Sequence, residues 1–409
     1  MKYIILVPDG MADYPIKELG DKTPLEAARK PNMDFIAQNG ILGRIQTVPA
    51  LLSPASDVAN LSILGYDPQI YYMGRAPFEA ANIGVELEEG DLALRCNFIS
   101  ASEGKIIDYS AGHISSKEAA VLIYFLNKKL GSQDIKFYPG VSYRHLLVIK
   151  NCGDFQLKDL ECTPPHDIMG LEIDKFLPKG KQSEILVKLM QDSRQILPEH
   201  DINQVRIDLG ENPANMIWLW GAGKKINLPK FKDMFGVSGA VISGVDLIKG
   251  IGKTIGLEVI NVPGATAYYD SDILAKAKYA MSALKNKDFV FIHVEAIDEA
   301  SHNGDLRQKI AMIERFDQLV VGTVLNSIKR LKNFKLAVLP DHGTPISLRT
   351  HTRDTVFFGL YGKDVISGGF SEFTEKEAQK AQIYFEKGHE FMPYFLGRSS
   401  AATASEDKK

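Results

Sequence analysis

Leu336-Ala337-Val338-Leu339-Pro340-Asp341-His342-Gly343-Thr344 is an apolar run of strand length that ends abruptly in an acid and an imidazole. Open α/β sheets bind ligands just beyond the carboxyl ends of their strands. Adjacent Asp and His at such an end offer one oxygen and one nitrogen to a divalent metal. A second imidazole, His351, follows shortly after. Taken alone, the pair is weak evidence for a metal, and a capped, solvated turn is the plainer reading. Matching donors elsewhere would separate the two possibilities.

Three other segments supply them. Tyr3-Ile4-Ile5-Leu6-Val7 has the short, β-branched pattern of a buried parallel strand and runs into Pro8-Asp9-Gly10. Asp9 is thus placed beyond a strand end, either as a ligand or as a turn Asp bonding its own backbone. Phe289-Val290-Phe291-Ile292-His293-Val294 is a further buried strand, followed by Asp298 and His302. Spacing of four puts that acid and imidazole on one helix face. Ser53 to Gly65 leads small residues into an apolar-periodic helix with Ser56 near its start. A Ser there can cap the helix. As a nucleophile it would gain from backbone N–H groups that stabilise a phosphate. Together these segments predict an α/β fold with Asp9, Ser56, Asp298, His302, Asp341, His342 and His351 at one edge of a mostly parallel sheet. Oxygen and nitrogen donors without thiolate suit Mn²⁺, Mg²⁺, Co²⁺ or Zn²⁺, and two such ions suit phosphoryl transfer at Ser56.

A chain of 409 residues exceeds one simple core, so two domains are expected. The net charge of −3 gives no footprint for nucleic acid. Cys96, Cys152 and Cys162 form neither a disulfide framework nor a zinc knuckle. No apolar run has the length of a signal peptide or membrane span, which predicts a cytoplasmic protein. Residues 1–80 and 213–398 read as one discontinuous catalytic domain. Between them, 86–210 reads as an α+β insert with short alternating strands and two helices, and 399–409 as a flexible tail. The strand Met216–Trp220 is taken as the return to the catalytic domain, and one helix is expected from about 306 to 332. The insert carries possible anion-holding groups in Arg95, Asn97, His113 and Arg144. Gly250-Ile251-Gly252-Lys253-Thr254 ends like a phosphate-binding loop, but the motif needs Gly where Leu247 stands.

Val7-Pro8-Asp9-Gly10, Ser56-Asp57-Val58-Ala59-Asn60, Gly65-Tyr66-Asp67-Pro68, Gly264-Ala265-Thr266, Asp298 to His302, Asp341-His342 and His351 resemble the alkaline phosphatase superfamily. Within it, the chain is similar to the archaeal-type cofactor-independent phosphoglycerate mutases. That resemblance implies an alkaline-phosphatase-like α/β domain interrupted by a substrate-binding lid, and two divalent ions without 2,3-bisphosphoglycerate. It implies that Asp9, Ser56, Asp341 and His342 hold one ion and that Asp298, His302 and His351 hold the other. Ser56 would be phosphorylated while 3-phosphoglycerate and 2-phosphoglycerate, small phosphorylated substrates of glycolysis, interconvert. Arg144 and Lys249 lie at positions that match basic residues of the family, and Arg95 and Asn97 match its Arg-x-Asn run, which makes them candidate substrate-binding residues. The family's arginine-rich Asp-Arg-Arg-Ala-Gly-Arg run is here Asp108-Tyr109-Ser110-Ala111-Gly112-His113. That form, with Tyr143-Arg144-His145 and Cys162 to Asp167, resembles a subgroup proposed to act as homoserine kinases, the alternative substrate class. A plain metal-dependent phosphatase is a third expectation.

Overall fold

The computed structural model describes residues 1–398 apart from 154 and 182. The tail expected to be flexible lies outside the described residues. In chain order the strands are β1 (Lys2–Pro8), β2 (Ile41–Ile45), β3 (Leu92–Ser102), β4 (Lys105–Asp108), β5 (Ile135–Val141), β6 (Arg144–Ile149), β7 (Leu160–Glu161), β8 (Lys179–Gly180), β9 (Met216–Lys224), β10 (Gly239–Ile242), β11 (Glu258–Val259), β12 (Phe289–Val294), β13 (Phe334–Val338), β14 (Val356–Gly362) and β15 (Tyr384–Phe385). Among the described residues they belong to two compact units, residues 1–72 with the chain from 228 onward, and residues 73–227. Among the described residues, no helix is long and apolar enough to cross a membrane.

The first unit holds an eight-stranded sheet in the order β11-β10-β12-β1-β13-β14-β2-β15. Strands β11, β10, β12, β1 and β13 run parallel, and β14 pairs antiparallel with both β13 and β2. Ile4 to Val7, Val290 to Ile292 and Leu336 to Val338 are solvent-free, as strands covered by helices on both faces must be. The adjacent strands β12, β1 and β13 stop together: Pro8 pairs with Val294, and Leu6 with Val338. Their carboxyl ends therefore deliver two loops and the start of helix Ala296–His302 side by side. The false phosphate loop is the C-terminal half of helix Asp246–Thr254. A Cβ on Gly252 would sit 2.3 Å from Val241 Cγ1, so this glycine lets the helix lie close on β10.

The second unit is built on β3, which pairs antiparallel with β4, β6 and β9, while β5 pairs with β6. Leu94, Cys96, Phe98, Leu122, Leu126, Leu147 and Trp218 form its core. This corrects two expected boundaries. Strand β9 belongs here, because Met216, Leu219 and Trp220 pair with Ile99, Cys96 and Arg95. Residues 73–80 belong here too, since Ala76 and Ala80 pack on Ala93, Leu146 and Val148. Strand partners are chosen across the chain, and Met216–Trp220 is equally apolar for either sheet. The helix expected over 306–332 ends at Ile328, with a π-helical segment at Phe316–Val321. In that segment Asp317 accepts bonds from the Asn32 and Met33 amides.

A capping box forms at Thr23, whose hydroxyl also donates to Glu375 Oε2 at 2.9 Å. Burial pushes the Glu375 carboxyl up to about 7. Its folded value lies above the ordinary one, so its contribution to stability is complete at acid pH and is lost as pH rises through 7. Relative to Glu375→Gln, the wild type should lose roughly 1–2 kcal/mol between pH 5 and pH 8. Each tenfold change in proton affinity is worth ~1.4 kcal/mol, and the partial exposure of this side chain reduces that figure. Urea titrations of both proteins at the two pH values test this, and equal pH responses would contradict it.

Candidate functional site

All of the expected metal donors lie in the first unit, on the loops that follow β1 and β13, on helix Ala296–His302 after β12 and on helix Ser56–Ile63. Two donor clusters form. Asp9, His293 and Asp341 each offer an atom within 4.8 Å of the others, and Asp298, His342 and His351 do the same. His302 joins the second cluster: its Nε2 lies 3.0 Å from Asp298 Oδ2 and 3.0 Å from His351 Nε2. His342 stands where the clusters meet, with Nε2 3.4 Å from Asp9 Oδ1 and 3.6 Å from Asp341 Oδ2. Ser56 Oγ lies 3.1 Å from the same nitrogen.

Helix Ser56–Ile63 begins with Ser56, but the N-cap is Ala55, and no side chain caps the helix. The capping role open to Ser56 is therefore not used. Asn60 fixes its placement instead, donating Nδ2 to the Ser56 carbonyl at 2.8 Å and to Asp341 Oδ2 at 2.7 Å. One helical turn thus ties the Ser56 backbone to the Asp341 loop. Ser56 is partly exposed while Asp341 and His342 are fully buried.

Outer contacts orient the donors. His302 Nδ1 lies 2.9 Å from the Arg349 carbonyl, which leaves Nε2 to face Asp298. Thr344 Oγ1 donates to Asp298 Oδ1 at 2.6 Å and lies 3.2 Å from His342 Nδ1. Gly10, at φ +63°, donates its N–H to Asp341 Oδ1 at 3.2 Å. A Cβ there would meet Asp298 Oδ1 at 2.4 Å and Thr344 Oγ1 at 2.7 Å. Gly10→Ala should therefore cost about 1–2 kcal/mol in backbone strain and weaken Mn²⁺ binding by displacing Asp298. Unaltered Mn²⁺ affinity in a calorimetric titration would contradict the second effect.

The electrostatics are those of a site made for cations. Burial pushes Asp9 well up, and Asp341 and Asp298 push it further. Burial would raise Asp298 as well, but His351 and His302 outweigh it and hold the carboxyl well down. Burial and nearby His351 bring His342 down to about 4 against the pull of Asp341. Asp9 Oδ1 is buried without a hydrogen-bond partner. Buried acceptors crowded together and left unpaired are costly unless a cation joins them. Two divalent ions fit this donor set.

Sequence patterns alone do not single out His293, Glu295, Lys276 and Lys309. His293 carried a signal, being a lone imidazole in an otherwise apolar strand. The candidate substrate contacts are divided between the units. In the second, Asn97 and Arg144 are paired across β3 and β6. Arg95 donates Nε to Glu79 at 2.9 Å, and its guanidinium lies 4.1 Å from the Trp220 ring centroid. His113 is exposed, on a turn closed by Asp108 accepting from the Ser110 and Gly112 amides. Lys249 is in the first unit, with Nζ 3.9 Å from Asp246.

The family model for 2,3-bisphosphoglycerate-independent phosphoglycerate mutase matches residues 37–203. A protein of that name from Methanosarcina acetivorans is 51% identical over 381 residues, covering 93% of this chain and 95% of its own. This chain belongs to that family. Another bisphosphoglycerate-independent phosphoglycerate mutase, from Methanothermobacter thermautotrophicus, is 48% identical and covers 97% of each chain. A solved Pyrococcus horikoshii structure superposes with a TM-score of 0.82 at 31% identity, over 98% of this chain and 99% of its own. The cofactor-independent phosphoglycerate mutase of Thermoplasma acidophilum gives 0.64 at 27% identity, over 98% and 100%. The mutase family's fold, a mostly parallel sheet flanked by helices, is thus the fold of this chain.

Proposed function

We propose that this protein interconverts 3-phosphoglycerate and 2-phosphoglycerate through a phosphorylated Ser56. The observation that carries the reading is Ser56 Oγ placed 3.1 Å from His342 Nε2, at the mouth of two buried donor clusters in a chain of this family. Ser56 Oγ would attack the phosphorus of 3-phosphoglycerate as the bond to the 3-oxygen breaks. The glycerate turns without leaving. Its 2-oxygen then attacks phosphoserine, and Ser56 Oγ departs. Divalent ions held by Asp9, Ser56, Asp341 and His342, and by Asp298, His302 and His351, would acidify the hydroxyl and offset phosphoryl charge. Water must be kept out meanwhile, or the phosphoserine hydrolyses. Arg144, Asn97, Arg95, His113 and Lys249 are the candidate anion-holding groups. Arg95 is already ion-paired, which favours an orienting part for it.

Purified protein supplied with Mn²⁺ should form 2-phosphoglycerate from 3-phosphoglycerate and stop on chelation. No product under those conditions would reject the proposal. One observation favours a second reading. The Asp108–His113 turn closes on its own acid without the arginines a doubly anionic substrate would want. A phosphotransferase acting on homoserine with a nucleotide would consume ATP only when homoserine is present, and the absence of that dependence removes it. Rapid hydrolysis of p-nitrophenyl phosphate would instead mark a plain phosphatase.

A further inference from the structure

We propose that His293 is a direct ligand of the ion shared by Asp9, Ser56, Asp341 and His342, held in place by a buried Lys276–Glu295 pair. This rests on the two-ion reading of the site and adds a second imidazole to one of its ions.

His293 is fully buried in β12, and both ring nitrogens lack a hydrogen-bond partner. Its Nε2 lies 3.5 Å from Asp9 Oδ2 and 3.5 Å from Asp341 Oδ2. Charge-assisted N–H···O bonds are shorter, at about 2.7–2.9 Å. Two donors each ~2.1 Å from one ion stand about 3.0–3.4 Å apart in octahedral or tetrahedral arrangement. The 3.5 Å spacings from Nε2 to Asp9 Oδ2 and Asp341 Oδ2 come close to such edges, and His342 Nε2 lies 3.4 Å from the other Asp9 oxygen, Oδ1.

The opposite side of the ring is fixed. Nδ1 lies 3.5 Å from Glu295 Oε1. That carboxylate accepts from Ser243 Oγ at 2.6 Å, from the Gly244 amide at 2.5 Å and from the Val245 amide at 3.3 Å, and it is ion-paired with Lys276. Lys276, itself solvent-free, also donates to the His293 carbonyl at 3.2 Å. Nδ1 thus faces a carboxylate whose negative charge favours the ring proton on that side and leaves the Nε2 lone pair toward Asp9 and Asp341. This is the carboxylate–histidine–metal arrangement that orients metal ligands.

Anomalous diffraction from crystals of the wild-type protein grown with Mn²⁺ tests this without a variant. An ion within about 2.5 Å of His293 Nε2 is expected, against ~2.1 Å for a typical histidine–metal bond. An ion bound by Asp9 and Asp341 but beyond hydrogen-bond distance of Nε2 overturns the inference and leaves the two-ion reading standing. Protein that takes up no divalent ion overturns both. In solution, Co²⁺ titration of His293→Gln should lose at least 100-fold in affinity at one of two sites and change the visible absorption of that site. Glu295→Gln should lose roughly 10- to 100-fold, the usual effect of an orienting partner. Wild-type affinity and spectrum in folded His293→Gln would also overturn the inference.

Discussion

Ser56→Ala should abolish phosphoryl transfer, by at least roughly a thousandfold, while the protein keeps its fold and most of its metal. The size follows from losing the nucleophile itself: removing a serine nucleophile elsewhere costs on the order of a millionfold. Retained folding follows from local structure. The hydroxyl caps no backbone group, since Ala55 is the N-cap of helix Ser56–Ile63. The contacts that anchor the helix run from Asn60 to the Ser56 carbonyl and to Asp341, and both survive. Metal content should fall little, because four buried donors, Asp9, His293, Asp341 and His342, remain around the affected ion. The decisive measurement pairs 2-phosphoglycerate formation with metal analysis and a melting curve. Transfer persisting in the variant would assign the chemistry to another group. Collapse of the fold would show that the side chain serves the helix.

Much of this centre was legible in the sequence because each part is a local pattern. Asp9 and Asp341-His342 end apolar runs, and Asp298 and His302 sit one helical turn apart. What pairs with what is not local. Nothing in Met216–Trp220 says that it pairs with β3 rather than joining the parallel sheet. A Ser at a helix start looks the same as cap or nucleophile, and only the Asn60 bonds and the 3.1 Å approach to His342 Nε2 separate the two. His293 hides among Phe291, Ile292 and Val294, where an imidazole reads as a core residue. Glu295 and Lys276 look like surface charges until the fold buries them against each other. Lysine in a polar helix stretch such as Leu306–Arg315 reads as solvated, so the role of Lys309 could not be anticipated.

Lys309→Met should destabilise the protein by about 3–5 kcal/mol, the usual cost of removing one partner from a buried ion pair. Lys309 is solvent-free, and its Nζ lies 2.8 Å from Asp13 Oδ2, 3.1 Å from the Gly10 carbonyl and 3.0 Å from the Thr344 carbonyl. One ammonium thus ties the loop after β1 to the loop after β13, the two segments that present Asp9 and Asp341. Burial pulls its ionisation down and Asp13 pulls it back only in part. Loss of the ammonium leaves the Asp13 carboxylate buried, supported by the Tyr14 and Ile346 amides. Those amides should hold the loss toward the lower end of the range. Replacing both partners, as in Lys309→Met with Asp13→Leu, should recover part of the stability, because no buried charge is then left unpaired. Mn²⁺ affinity should stay reduced in both variants, since the carbonyls of Gly10 and Thr344 have lost their common donor. Urea denaturation with a parallel Mn²⁺ titration separates these effects. A single variant as stable as the wild type would show that the tether contributes nothing. Full metal affinity in the double variant would show that the loops hold their places without it.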